Sequence, residues 1–271
     1  LSPQGQFQWV RQFSSSHVVY MGATTTYKDG TTTTVLSTYQ HFDADPGASI
    51  FSMYAPGIYI AIVQLDSAGN FKWAKKIEGM NLGDSYDIAH DRNKNIVVSG
   101  VFSGQRDFDP GSGSFILNSS AGRGFVLKLD SLGSFDWAKN FGNTNLNIYA
   151  VDVDRADNIL VSGDFLNTAS FTVNSVVKSL VSAGQEDMLA LKFSKDGNLL
   201  FAESWGNIYG DHIYSVKAGL DGEMVLAGRF SKKVDFDPGP DTVYRTPLVQ
   251  FWLNPDVFIL QLKCNFSHYA W

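Results

Sequence analysis

Two aspartates at i and i+2, followed by Pro-Gly, occur three times in this chain. They are Asp107 and Asp109 ahead of Pro110-Gly111, Asp235 and Asp237 ahead of Pro238-Gly239, and Asp43 and Asp45 ahead of Pro46-Gly47. Two carboxylates so spaced in an irregular loop offer several oxygen ligands to a hard cation such as calcium, the one cofactor the sequence suggests. The same spacing also serves a purely structural turn, in which the Asp side chain accepts from backbone amides just beyond it. Both readings stand at this point.

Other chemistry is thinner. The five histidines, His17, His41, His90, His212 and His268, show no HxxxH-type ligand spacing and read as surface or strand residues. There is no G-x-S-x-G elbow and no P-loop. Cys264 is the only cysteine, so neither a disulfide framework nor a Cys-based metal site is expected. Asp87 and Asp152, on first strands of their modules, are the candidates for an acidic pair of the kind glycosidases use. The competing reading makes them ordinary acids near strand ends. A formal charge of −6 without any Lys/Arg cluster argues against a nucleic-acid partner. No run of 18 apolar residues is present, so membrane insertion is not expected. No signal peptide is visible, and the chain opens in mid-pattern at Leu1-Ser2-Pro3, which suggests processing or trimming.

The elements that must position these groups repeat. Trp9, Trp73 and Trp137 lie 64 residues apart, and another such step reaches Phe201. Gly5, Gly69, Gly133 and Gly197 keep the same interval, as do Pro46 and Pro110. The clearest copy holds four strand signals: "SYDIAHD" (85–91), "NIVVSGVF" (95–102), "GFVLKLD" (124–130) and "SFDWAKNF" (134–141). Each is short, rich in β-branched and aromatic residues, and bounded by turn formers. No window carries a helical period. On the third strand, Gln64, Lys128, Lys192 and Gln261 each place one polar side chain among apolar neighbours. Tandem four-stranded antiparallel modules without helices predict an all-β fold, a β-propeller of four blades at roughly 14–77, 78–141, 142–205 and 206–271. The tryptophans are expected to fill the space between neighbouring blades.

The chain resembles secreted bacterial β-propeller repeat proteins whose blades carry "LDS-x-G-x-F-x-WAK", "GN-I-x-V-x-G" and "DFDPG". The matching residues are Leu129-Asp130-Ser131, Gly133, Phe135, Trp137-Ala138-Lys139, Asn95-Ile96, Gly100 and Asp107 to Gly111. The third module departs, with Phe171-Thr172-Val173-Asn174 in place of the acidic turn, and the first has lost the phenylalanine between its aspartates. This resemblance implies an extracellular or cell-surface protein, often exported by a dedicated outer-membrane route, and no enzyme activity.

The opening "GQFQWVRQF" (5–13) is a fourth-strand sequence, which predicts a single domain closed by that strand completing the last blade. The alternative makes "FSHYAW" (266–271) the fourth strand, with more blades following. The Asp-x-Asp-Pro-Gly turns share a face with the loops between blades, where a rigid scaffold carries its binding groups. Those loops supply the candidate ligand residues Asn81, Asp84, Asn143, Asn145, Asn207 and Asp211. The expected function is a non-catalytic binding or adhesion module whose partner is a glycan or a surface protein. A structural spacer or assembly component is the alternative, and a glycan-active enzyme a third.

Overall fold

Alternating β-branched and aromatic runs form antiparallel strands throughout. In this computed structural model the described residues are 5–80, 86–141, 145–173, 176–248 and 255–263, and they contain no helix. Three sheets have four strands each. Sheet 1 comprises Tyr20–Thr26, Thr32–Tyr39, Ile58–Leu65 and Phe71–Glu78. Sheet 2 comprises Asp87–His90, Ile96–Asp107, Ile116–Leu129 and Phe135–Phe141, and sheet 3 comprises Leu146–Val153, Ile159–Phe165, Asp187–Phe193 and Leu199–Trp205. Sheet 4 has three strands, His212–Ala218, Met224–Phe230 and Asp256–Leu262. In the third module a two-stranded hairpin, Thr168–Val173 with Val176–Val181, replaces the acidic turn.

Hairpin ends follow from Asp and Gly. Asp66 Oδ1 accepts from the amides of Ala68 and Asn70, and Asp130 Oδ1 from those of Leu132 and Ser134, all at 2.8 Å. Each turn then needs a left-handed residue, and the 64-residue glycine repeat supplies it. Gly5, Gly69, Gly133 and Gly197 have φ of 79°, 78°, 78° and 76°.

Three of the four buried clusters among the described residues join neighbouring sheets. One holds Ile60, Ile62 and Ile77 of sheet 1 against Ile88, Ile96 and Val98 of sheet 2. The next two join sheet 2 to sheet 3 and sheet 3 to sheet 4. The tryptophans sit at these seams as expected. Trp137 Nε1 donates to Lys195 O at 3.1 Å, across to the turn of the following sheet. The chain is thus a β-propeller-like array of repeated antiparallel sheets.

In sheets 1, 2 and 3 the polar residue on the third strand ties sheets together. Lys192 Nζ lies 2.9 Å from Asp154 Oδ2 within sheet 3 and donates to Gly222 O of sheet 4 at 3.1 Å, with the Lys and Asp side chains each 2% exposed. Lys128 repeats this one sheet earlier, 3.6 Å from Asp91 Oδ2 and donating to Lys195 O at 3.2 Å. In sheet 1 a neutral relay serves instead. Gln64 Nε2 donates to Thr33 Oγ1, which is hydrogen-bonded to Nε2 of His90 in sheet 2.

The last sheet differs from expectation. Residues 5–13 form no ladder with Asp256–Leu262, so strand closure of the ring is not part of the structure described. The segment engages sheet 1 as the fourth strand of sheet 2 engages sheet 3. Trp9 Nε1 donates to Ser67 O at 3.0 Å, and Arg11 Nε donates to Gly69 O at 2.7 Å. Trp9 and Phe13 pack on a buried cluster that includes Leu36, Tyr59 and Val63. The alternative fourth strand, 266–271, lies outside the described residues.

Candidate ligand-binding site

The three Asp-x-Asp-Pro-Gly turns share one hydrogen-bond pattern. Asp107 Oδ1 accepts from the amides of Asp109 (3.0 Å) and Phe115 (2.8 Å), and Asp109 Oδ1 accepts from Gly111 (2.7 Å). Asp43 serves Asp45 and Phe51 alike, and Asp235 serves Asp237 and Val243; Asp45 and Asp237 receive Gly47 and Gly239. In each turn the aspartates accept from backbone amides just beyond them, the pattern of a structural turn, and the expected results that follow rest on that pattern. Among the described residues no group of three or more His, Cys, Asp or Glu is placed to hold a metal. Asn at position 107 keeps the accepting oxygen, so Asp107→Asn should melt close to wild type. Asp107→Ala should cost about 1–2 kcal/mol. Melting should be unmoved by calcium or a chelator. A calcium-dependent rise that Asp107→Asn removes would restore the cation reading.

The first strands of all four sheets line one central cavity of about 320 Å³, through Met21 and Gly22, Tyr86 and Asp87, Tyr149, and Tyr214 and Lys217. Tyr149 and Tyr214 occupy equivalent β-bulges, where the ladder skips from Ile148 to Ala150 and from Ile213 to Ser215. The residue facing each bulge is a glycine, Gly163 of V-S-G in sheet 3 and Gly228 of L-A-G in sheet 4. A Cβ on Gly163 would lie 1.8 Å from Asn147 O, and one on Gly228 2.0 Å from His212 O.

Asp87 and Asp152 do lie on first strands, but their oxygens are engaged in holding sheets together. Asp87 Oδ2 accepts from Val151 N of sheet 3 at 2.8 Å, and Asp152 Oδ2 from Ala218 N of sheet 4 at 2.9 Å. Burial pushes the Asp87 carboxyl up despite its two amide donors.

Of the loop residues, Asn81, Asp84 and Asn143 lie outside the described residues. Asn145 accepts through its backbone O from Leu166 N at 3.2 Å. Asn207 and Asp211 bond to each other. Asp211 Oδ2 receives both the backbone N and Nδ2 of Asn207, while its Oδ1 receives Ser231 N at 2.8 Å. Asp211 is fully buried, so it shapes the loop from within.

Beside this loop lies a pair that the sequence did not disclose. His212 Nδ1 is 2.5 Å from Oδ2 of Asp164, a fully buried carboxylate whose Oδ1 accepts from Asn147 Nδ2 at 2.8 Å. The Tyr149 hydroxyl bonds to Asp164 too; burial, then the carboxylate's charge, pushes that phenol well above its ordinary value. His212 stacks on Tyr214 at 5.7 Å and 14°, and the Arg229 guanidinium lies 5.7 Å from the same ring. The available signal was a mismatch between copies. Register places Asp164 where sheet 2 has Val101 and sheet 4 has Arg229.

Asp187, near this site, is buried; its Oδ2 accepts from Ala183 N, but Oδ1 has no partner among the described residues. Burial first, then the Asp211 charge, pushes the Asp187 carboxyl from 3.8 up to about 7. A raised folded-state value means that the folded form holds the proton more tightly, so stability falls as pH rises through this window. Asp187→Asn should therefore be stabilising at pH 8, by more than about 3 °C in Tm. The advantage should shrink toward pH 5, where the wild-type carboxyl regains its proton. The difference between the two proteins is the readout, because His90, lowered to about 4 by burial, pulls the wild-type profile the other way. A gap that does not change with pH would show that Asp187 is not the titrating group.

No family model matches the chain. It is similar to an uncharacterized WD repeat-containing protein of Acanthamoeba polyphaga mimivirus, 26% identical over 113 residues, which span 36% of this chain and 8% of that protein. The likeness agrees with a repeat-built, propeller-like array.

Proposed function

We propose that this chain is a non-catalytic binding module whose ligand surface lies at the loop end of the first strands, around the mouth of the central cavity. The observation that carries it is Tyr214. This ring is 45% exposed, yet it packs against both His212 and Arg229, and His212 is itself fixed by a buried carboxylate. A rigid aromatic surface with a fixed polar rim binds at low entropic cost. The acids that would have to do glycosidase chemistry, Asp87 and Asp152, are occupied by backbone amides. The partner is a glycan or a surface protein, met outside the cell as the motif resemblance implies. No turnover is expected across a panel of glycosides and esters. Turnover that vanishes in Asp87→Asn or Asp152→Asn would overturn this reading.

One observation favours an assembly role beside it. Met188 and Ala190 of sheet 3 are fully buried against sheet 4, whereas Val257 and Ile259, their counterparts by register, are 84% and 82% exposed. An apolar face shaped like a sheet-to-sheet seam suits another β-sheet. If substituting both residues by lysine unfolds the chain instead of raising its solubility, that face is not open.

A further inference from the structure

On the loop face, between sheets 3 and 4, a pocket of about 340 Å³ is lined by residues that include Gln185, Glu186, Tyr209, His212 and Arg229. Its floor is Gly210. A Cβ built there would lie 3.1 Å from His212 Nε2, 3.4 Å from Glu186 Oε2 and 3.7 Å from Gln185 Oε1, so three polar atoms from two segments gather about one point. Their chemistry is set by what stands behind them. Asp164, fully buried and acceptor-only, faces His212 Nδ1 at 2.5 Å, so Nε2 is the ring nitrogen turned toward the pocket. Gln185 Oε1 already accepts from Gly210 N at 3.1 Å, which fixes the amide with its oxygen inward and a second lone pair to offer. No hydrogen bond or ion pair reaches the Glu186 carboxylate among the described residues. The point is therefore ringed by a carboxylate, an amide oxygen and an imidazole nitrogen, while Arg229 at the rim supplies donors from a guanidinium beside Tyr214.

We infer that this pocket binds a neutral, polyhydroxylated ring, the terminal sugar of a glycan, an inference that rests on the binding-module reading above. A sugar hydroxyl donates and accepts at once, so adjacent hydroxyls can bond to His212 Nε2 and give a proton to Glu186 while their oxygens receive from Arg229. The planar side chains of Gln, Glu, His and Arg present these partners in fixed directions. One carboxylate and one guanidinium face the same space, so neither an anionic nor a cationic ring is favoured over a neutral one. The volume lies at the small end of ligand pockets, about 300–1,000 Å³, and suits a single ring rather than a folded peptide.

The test is titration of the intact chain with glucose, galactose, mannose and N-acetylglucosamine and their short oligomers, followed by calorimetry and by NMR. Glucosamine and gluconate serve as charged controls. His212→Ala would leave Asp164 buried without its partner and threatens folding, so the variants are Glu186→Ala at the pocket wall and Gly210→Ala. Gly210 does not need a left-handed backbone, and its added methyl fills the point where the three atoms meet. The expected result is saturable binding of at least one neutral sugar, weakened tenfold or more in both variants, with Tm unchanged in Glu186→Ala. Undiminished binding in both variants, no binding of any neutral sugar, or tenfold tighter binding of a charged control overturns the inference. Mass analysis of the recovered sugar separates it from the broader reading. Cleaved oligomer would sink the non-catalytic role and leave the pocket standing.

Discussion

Lys192→Met should lower stability by about 3–5 kcal/mol, the largest single-site loss expected in this chain outside its glycines. The lysine and Asp154 are both almost wholly buried and 2.9 Å apart. Removing the cation leaves a carboxylate inside with three N–H donors, from Ala156, Asn158 and the Asn158 side chain, and no counter-charge. The same lysine also caps Gly222 O of the next sheet, so the seam between sheets 3 and 4 loses a bond as well. Lys128→Met should cost less, since its pairing with Asp91 is longer, at 3.6 Å. Asp154 is pulled below its ordinary range: burial opposes this, but Asn158 and Lys192 outweigh it. A depressed folded-state value gives stability that is complete above the ordinary carboxylate range and is lost as pH falls through the folded value. The gap between wild type and Lys192→Met should therefore be full at neutral pH and above and shrink as pH falls, because Asp154 left buried without its counter-charge takes up a proton before the wild-type carboxylate does. Denaturant melts from neutral pH into acid check it; a loss under about 1 kcal/mol at neutral pH would mean that the pair contributes no net stability.

Gly163→Ala should be at least as damaging, costing about 3 kcal/mol or more. The new methyl would sit 1.8 Å from the backbone oxygen of Asn147, and backbone on the facing strand cannot step aside as a side chain can. Gly228→Ala should behave alike, its methyl 2.0 Å from His212 O. Gly100→Ala is the graded control. There the nearest atom is Cδ1 of the Tyr86 ring at 2.4 Å, which can rotate or shift, so its loss should be smaller. Sheet 1 shows the exchange that makes sense of the rule. Leu36 stands where the others have glycine, and the first strand opposite carries Gly22 where they have tyrosine. Thermal melts of the three variants test the order; equal losses would mean that close approach is not what these glycines serve.

The repeat and its strands were legible because their causes are local. Period-two alternation, aspartates that accept from their own turns and left-handed glycines all act within a few residues. The tryptophan seams followed from the same interval. The tyrosines of the cavity were not legible, because Tyr86, Tyr149 and Tyr214 are spaced 63 and 65 residues apart and slip out of a fixed step of 64. Asp164 and His212 were hidden for another reason: they are 48 residues apart and meet only across a seam. The roles of Lys128, Lys192, Asp87 and Asp152 likewise depend on partners in other modules, which no single repeat reveals. Asn207 and Asp211 were found as polar loop residues, but only hydrogen bonding shows that they serve each other.

The sharing of three of the four buried clusters between adjacent sheets has a further consequence for how the molecule comes apart. Its free energy behaves as a row of coupled links, each sheet contributing little alone and most of its cohesion residing in the seams. Sheet 2 and sheet 3 each have two such seams, whereas sheet 4 has one and an open flank. Opening therefore starts at sheet 4 and runs inward, so amide protons there exchange first while those of sheets 2 and 3 wait for the collapse of the whole row. A ligand held between sheets 3 and 4 would clamp the weakest link, and occupancy of one small pocket would slow the unravelling of the entire array.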